Sequence, residues 1–362
     1  MVVAGIMTGT SVDAIDIAIC DIQRKGDRDT VSLRSFLTRP FHPETHAAIM
    51  DALAGASTME ALCDLPYLLA SDMASCLIPE LAPHSVEAIA VHGQTLWHHP
   101  PVSTWQAMSG PALAAHTGLP VVHDFRSADI ALGGQGAPLV PVFDHATLTR
   151  PDATVVALNI GGMANVTILP PNAGIDDVRA FDCGPGNVWI DAAARATFGK
   201  RYDEGGAIAR AGRVIRPMLE ECFAMPYFAA EPPKSTGREL FTLDEAKRLI
   251  TKYSHPSAPL EDAVATMTEV TAWSIADHCK RYAPDARNVV VSGGGARNLF
   301  LLERLQDHLG SDVSVTVHAH ADEKEAMAFA YLGWLTLNGR PGNVLGATGA
   351  ARRAVLGSVA RA

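Results

Sequence analysis

The six cysteines, at positions 20, 63, 76, 183, 222 and 279, include no Cys-x-x-Cys pair. Such scatter excludes a zinc or disulfide framework and reads as reduced core thiols, which makes the cytoplasm the expected compartment. Basic residues are in deficit, with 29 Lys and Arg against 39 Asp and Glu, for a formal net charge of −10. A nucleic-acid or acidic-membrane partner needs a basic footprint, so neither is expected as the main partner. No basic stretch precedes the apolar run at Met1-Val-Val-Ala, and no stretch reads as long enough to span a bilayer. Neither a signal peptide nor a membrane segment is therefore expected. Also missing are a Walker-type Gly-x-x-x-x-Gly-Lys-Ser/Thr, a His-Arg-Asp kinase loop and a Gly-x-Gly-x-x-Gly after a strand. A nucleotide site in this chain must be of another kind. His92, His98 and His99 lack the mutual spacing of a zinc site and read as hydrogen-bonding or loop positions.

What the chain does have is glycine in turns. Gly5-Ile-Met-Thr-Gly-Thr-Ser-Val-Asp-Ala-Ile-Asp16 and Asn159-Ile-Gly-Gly-Met-Ala-Asn-Val-Thr167 both read as hairpins between apolar strands. Turns of Gly, Thr and Ser keep bulky side chains away, so successive amides and hydroxyls can converge on phosphate oxygens. A third cluster, Ser292-Gly-Gly-Gly-Ala-Arg-Asn298, follows an apolar strand and precedes a helix with Leu299, Leu302, Leu305 and Leu309 on one face. Any one such turn is weak evidence, since hairpins everywhere use glycine. Three of them, each after an apolar strand, predict a polyphosphate clamp.

At 362 residues two domains are the default expectation. The hairpin, strand and helix order of the first half recurs from Thr154 onward, and Ala131-Leu-Gly-Gly-Gln-Gly-Ala-Pro138 reads as the crossover or hinge. The expected lobes are 1–130 with a C-terminal return at about 340–362, and 131–339. Asp182 closes an apolar strand before a Gly-Pro-Gly turn. It is either a turn or N-cap aspartate or a general base held at the mouth of a cleft. Cys183 beside it reads as a packing residue, and Lys234-Ser-Thr-Gly-Arg238 as a polar loop that either holds an anionic group or is solvated surface.

Taken together these segments resemble the anhydro-N-acetylmuramic acid kinases of bacterial cell-wall recycling. The matching stretches are Gly9-Thr-Ser-x-Asp13, His92-Gly-Gln-Thr-x-x-His98-x-Pro100, Asp124-Phe-Arg-x-x-Asp129, Gly133-Gly-Gln-Gly-Ala-Pro-Leu-Val-Pro141, Asn159-Ile-Gly-Gly, Phe181-Asp-x-Gly-Pro-Gly-Asn187, Pro233-Lys-Ser-Thr-Gly-Arg-Glu239, Ser292-Gly-Gly-Gly-x-x-Asn298 and Glu325-Ala-x-Ala-Phe-Ala330. The chain departs from the usual pattern at Ala14, commonly Gly, and at Trp97, commonly basic.

The resemblance implies an α/β, two-domain actin-like ATPase (ribonuclease-H-like) fold, with a duplicated mixed sheet flanked by helices and a cleft between the domains. It implies ATP-dependent opening of the anhydro sugar with water and phosphorylation of O6, giving N-acetylmuramic acid 6-phosphate and ADP. A conventional sugar kinase of the same fold, and a nucleotide-switched binding protein, are the alternatives. By carry-over Asp182 is the catalytic base. Gly9, Thr10, Ser11, Val12, Asp13, Ala14, Ile15, Asp16, Gly161, Gly162, Asn187, Gly293 and Gly294 line the nucleotide. Gln94, Arg126, Asp129 and Glu325 meet the sugar and its lactyl carboxylate, with Arg126 the natural anion partner. Mg2+ is expected to be bound mainly through ATP, with Asp13 a candidate ligand, and a homodimer is implied.

Overall fold

The computed structural model describes residues 1–9, 12–26, 28–232, 234–237, 240–253 and 258–362. Thr10 and Ser11 of the first glycine turn, and Pro233, Arg238 and Glu239 of the polar loop, lie outside the described residues. In chain order the strands are β1 (Val2–Thr8), β2 (Ile15–Lys25), β3 (Arg28–Arg39), β4 (Ala88–Val91), β5 (Gln94–His99), β6 (Ser103–Ala107) and β7 (Val121–His123). They continue with β8 (Thr154–Ile160), β9 (Met163–Leu169), β10 (Arg179–Pro185), β11 (Ala286–Ser292), β12 (Ser314–Val317) and β13 (Ser358–Ala360). The chain forms two compact units, residues 1–147 with 323–362, and residues 148–322.

The first unit holds a sheet of order β13-β7-β4-β1-β2-β3. β1, β2 and β3 form an antiparallel meander, whereas β4 runs parallel to β1 and β7 parallel to β4. Alternation along β1 and β2 sends Ile6, Ile15, Ile17 and Ile19 to one face, where Leu65, Leu69, Met73 and Leu77 of the helix Met59–His84 meet them. That helix starts at Thr58, whose side chain accepts from the Ala61 N–H. It is long and apolar enough to cross a membrane, with a window of mean hydropathy 1.3, which corrects the expectation of no bilayer-length stretch. Its apolar face is nonetheless spent on this core, and it carries three prolines. The helix Lys324–Leu337 lies on the opposite face of β1, with Ala326 and Ala330 against Gly5. A separate two-stranded hairpin, β5–β6, pairs Trp97 with Trp105.

The second unit repeats the plan with the order β10-β9-β8-β11-β12. Again three strands form an antiparallel meander and two further strands run parallel to the first of them. The fold is thus α/β with a duplicated mixed sheet flanked by helices, as the sequence led us to expect. The helix Glu261–Tyr282 is buried along most of its length, through Val264, Met267, Val270 and Ile275. The helix Leu299–Leu309 buries Leu301, Leu305 and Leu309, while Leu299 is exposed, so the inward face is offset from the one read off the leucine spacing.

The compact units change at 147/148 and 322/323, in place of the lobe boundaries expected at 131 and about 340. Gly133–Gly136, read as a hinge, lies inside the first unit. It is pinned by hydrogen bonds from the Gly134 N–H to the Asp129 carbonyl, from Gln135 N–H to the Thr348 carbonyl, and from Gly136 N–H to the Asp129 carboxylate. The thiols also divide. Cys20, Cys183, Cys222 and Cys279 are buried as expected, but Cys63 is exposed and Cys76 half-buried.

His278 in the second unit is fully buried, with Nδ1 2.6 Å from the Ser274 carbonyl and Nε2 3.3 Å from an Arg281 amino group. Burial drives its pKa down to about 4. A histidine whose folded pKa lies below its unfolded value of about 6.5 adds stability that is complete above pH 6.5. That stability is lost as pH falls toward 4, at up to about 1.4 kcal/mol per pH unit. Thermal melts between pH 7 and 5 should therefore show a steeper fall in Tm for the wild type than for His278→Gln. Parallel slopes would refute it.

Candidate active site

Within each sheet the parallel strands end at a common edge, and in each unit taken by itself that edge carries residues singled out in the sequence. Carboxyl ends of parallel strands are where open α/β sheets bind ligands. In the first unit Gly9 follows β1, His92 and Gln94 follow β4, and Arg126 comes three residues after β7. Cross-links hold these loops together. Thr8 Oγ1 donates to the Gly93 carbonyl at 3.1 Å, the His92 N–H to the Ile6 carbonyl at 3.0 Å, and Gln94 Nε2 approaches the Gly9 carbonyl at 3.4 Å.

The β1–β2 turn closes with the Val12 N–H on the Gly9 carbonyl at 3.2 Å. Val12 takes a left-handed φ of 57° although it is β-branched, an arrangement that persists only where the surroundings enforce it. Val12 is buried, which supplies that enforcement. Ala14 is not among the left-handed residues, so the methyl it carries in place of the usual glycine hydrogen costs the turn nothing in φ. Asp13 is exposed on the turn, and Asp16 at the start of β2 accepts from Thr38 Oγ1 at 2.8 Å.

Arg126 donates from Nε and Nη2 to the single Nε2 of His92, at 3.1 and 2.9 Å. Among the described residues it has no carboxylate partner within salt-bridge distance. Burial lowers its pKa to about 10, with Glu325 acting in the opposite sense. Glu325, in the first turn of Lys324–Leu337, has its carboxyl raised by burial and by Asp16, against the pull of Lys324 and Arg126. Gln94 is fully buried and its Oε1 has no hydrogen-bond partner among the described residues.

Asp129 is different. The sequence assigned it to the sugar, but its carboxylate is fully buried and accepts from Gly136 N–H at 2.8 Å, Asn343 Nδ2 at 2.9 Å and Thr348 Oγ1 at 2.8 Å. This carboxylate ties the C-terminal return to the glycine loop and has no face left for a ligand. Asn343 and Thr348 were not singled out in the sequence, because they lie more than 200 residues away along the chain.

In the second unit three glycine loops converge on Ile160. The Gly161 carbonyl accepts from Asn187 N–H at 2.8 Å, and the Gly162 carbonyl from Gly186 N–H at 2.8 Å and Val188 N–H at 3.2 Å. Asn187 Nδ2 reaches the Ile160 carbonyl at 3.2 Å, and Gly293 packs against Asn159 and Ile160. Gly161, Gly162, Asn187, Gly293 and Gly294 are thereby brought together. Gly186 holds the arrangement by its lack of a side chain, since a Cβ there would stand 2.4 Å from the Gly161 oxygen and 2.9 Å from the Met163 carbonyl carbon. Both neighbours are backbone and cannot swing aside. Gly186→Ala should therefore spread the turn and cost about 1–3 kcal/mol, read as a lower denaturant midpoint. A wild-type midpoint would contradict it.

Asp182 sits within β10, at a bulge between Asp182 and Gly184, and is not an N-cap; that position before the helix Val188–Phe198 belongs to Asn187. Bulges re-aim side chains beside sites. Among the described residues, the segment that follows makes three contacts to Asp182. Its N–H donates to the Lys234 carbonyl at 3.2 Å, its carbonyl accepts from Tyr227 Oη at 2.8 Å, and Oδ2 accepts from Thr236 N–H at 2.8 Å. Lys234 Nζ in turn donates to the Tyr227 carbonyl at 2.9 Å and lies 4.6 Å above the Tyr227 ring. The polar loop is therefore a brace for the carboxylate, a role that its composition did not reveal. Cys183 is buried, with its thiol pushed well above the ordinary pKa by desolvation, which suits packing and not nucleophilic attack.

A sequence model described as anhydro-N-acetylmuramic acid kinase matches residues 1–362. The chain belongs to the anhydro-N-acetylmuramic acid kinase family. It is thereby a sugar kinase, a phosphotransferase. Looser likeness extends to solved structures. One is a ROK family glucokinase from Streptomyces griseus in complex with glucose and AMPPNP, at 15% identity and TM-score 0.42, covering 92% of this chain and 99% of that one. Another is the activator of the 2-hydroxyisocaproyl-CoA dehydratase from Clostridium difficile with bound ADPNP, at 16% identity and TM-score 0.45, covering 91% and 93%. A third is a ROK hexokinase from Thermus thermophilus, at 14% identity and TM-score 0.40, covering 91% and 98%.

Among the described residues no three His, Cys, Asp or Glu side chains gather as a metal site. Mg2+ is usually held by one or two carboxylates together with substrate phosphates. Asp13 and Asp16, at and just after the glycine turn, are carboxylates that fit that donor set.

Proposed function

We propose that this kinase uses ATP and one water molecule to open anhydro-N-acetylmuramic acid and phosphorylate O6, yielding N-acetylmuramic acid 6-phosphate and ADP. The observation that carries the reading is the fixed Asp182 carboxylate, four residues before Gly186, whose N–H donates to the Gly162 carbonyl of the Gly161–Gly162 turn. Asp182 takes a proton from water, whose oxygen bonds to the anomeric carbon. The bond from that carbon to O6 breaks, and O6 leaves with its electron pair and attacks the γ-phosphorus. The bond from the γ-phosphorus to the β,γ-bridging oxygen then breaks and ADP departs. Phosphoryl transfer of this kind is chiefly positioning and charge neutralisation.

In this reading Gly9 to Asp16, Gly161, Gly162, Asn187, Gly293 and Gly294 hold the nucleotide. Gln94 and Glu325 contact the sugar, and Arg126 receives the lactyl carboxylate. Mg2+, held by ATP phosphates with Asp13 or Asp16, would neutralise charge on the β- and γ-phosphates. The product would enter cell-wall amino-sugar recycling. The test is ADP release and product mass with purified protein, ATP and the anhydro sugar. Sugar-dependent ADP release with a product heavier by one phosphoryl group (HPO3) and one water is expected. ATP turnover indifferent to the sugar would overturn the reading.

A further inference from the structure

His92 carries no assigned part in the reaction, yet Arg126 is built onto it. Its backbone N–H is locked to the Ile6 carbonyl, its side chain is almost wholly buried, and its ring lies 4.7 Å from that of Phe329, which also packs on Phe125 at 5.4 Å. The Nε and one Nη of Arg126 both converge on His92 Nε2. Both are donors, so Nε2 must present a lone pair and the imidazole must be neutral, with its proton on Nδ1. Burial first, and the Arg126 charge second, hold the His92 pKa well below its ordinary value, in keeping with that tautomer.

A guanidinium has two edges suited to a fork of hydrogen bonds. His92 takes the Nε edge. Among the described residues no acceptor meets the Nη1–Nη2 edge, and no carboxylate pairs with the cation. A largely buried cation left without a counter-ion is costly unless a ligand supplies the charge. An aspartate or glutamate at position 92 would neutralise Arg126 and compete with an incoming anion. A neutral imidazole orients the same group and leaves its charge available.

We propose that His92 is a positioning residue that fixes the plane of the Arg126 guanidinium and turns its free edge toward the carboxylate of the substrate. The inference rests on the reading above in which Arg126 receives that carboxylate. It concerns His92 alone, acting through Arg126, without contact with the reacting atoms.

The test compares His92→Phe, His92→Gln, Arg126→Met and the double variant His92→Phe/Arg126→Met, each checked for wild-type-like folding by circular dichroism. His92→Phe keeps the ring and removes the acceptor, and should raise KM for anhydro-N-acetylmuramic acid about tenfold while KM for ATP stays within about twofold. His92→Gln returns an acceptor near the place of Nε2 and should recover most of the loss. On the Arg126→Met background His92→Phe should add nothing, because the two act as one unit. Wild-type sugar KM in His92→Phe, equal damage in Phe and Gln variants, or additive losses in the double variant would each overturn the proposal while leaving Arg126 in place. An unchanged sugar KM in Arg126→Met would overturn both the carboxylate assignment and the proposal built on it.

Discussion

Asp182→Asn is expected to lower kcat by roughly 10²–10⁴, the usual worth of a positioned general base. The substitution is nearly isosteric. An asparagine oxygen can still accept from the Thr236 N–H, and the backbone bonds to Lys234 and Tyr227 do not involve the side chain. The brace should therefore survive, with Tm close to wild type and KM for ATP unchanged. What disappears, in the proposed reaction, is the capacity to take a proton from water. A fall in kcat with intact binding is the signature of an interaction made only in the transition state. If Asp182 served only to hold the 234–237 loop, kcat would be retained.

The second large effect concerns stability. Gly5 lies in the middle of β1, and a Cβ there would stand 2.0 Å from the Ala326 carbonyl oxygen and 2.5 Å from the Ala330 nitrogen. Both atoms belong to the backbone of the helix Lys324–Leu337, so no side-chain rotation relieves the overlap. Either the helix lifts from the sheet or the strand bends. Overpacking of a close-packed core costs about 1–3 kcal/mol even where side chains can adjust, and Gly5→Ala should exceed the upper end of that range. The same helix carries Glu325, and its Lys324 ammonium pairs at 2.7 Å with Asp144, those two side chains being buried, so activity should fall along with stability. Denaturant unfolding of Gly5→Ala should show a midpoint well below wild type, or too little folded protein to measure. A wild-type midpoint would mean that helix and strand are not in this register.

The glycine turns and the duplicated sheets were legible because each turn directly follows an apolar strand, near-continuously buried in β1 and β8. What stayed hidden is what depends on contacts between distant segments. Nothing near Asp129 announces Asn343 and Thr348, and without them its carboxylate looks like a free ligand. Thr236 is 54 residues from Asp182, and the bulge that redirects β10 leaves no compositional trace beyond Gly184. Gly133–Gly136 has the composition of a hinge, but its amides are taken by Asp129 and Thr348, so its glycines serve close packing. The leucine spacing after Asn298 gave the helix correctly and its buried face one step off, since Leu301 and not Leu299 turns inward.

At the centre of the account is a solvent molecule, activated by Asp182, that becomes part of the sugar. Turnover in water enriched with heavy oxygen, with the product trapped before its anomeric hydroxyl can exchange, tests this directly. The account predicts one heavy oxygen on the anomeric carbon and none in the phosphoryl group. A phosphorylated product with only light oxygen would contradict it, and would mean that Asp182 deprotonates a sugar hydroxyl as in a conventional kinase.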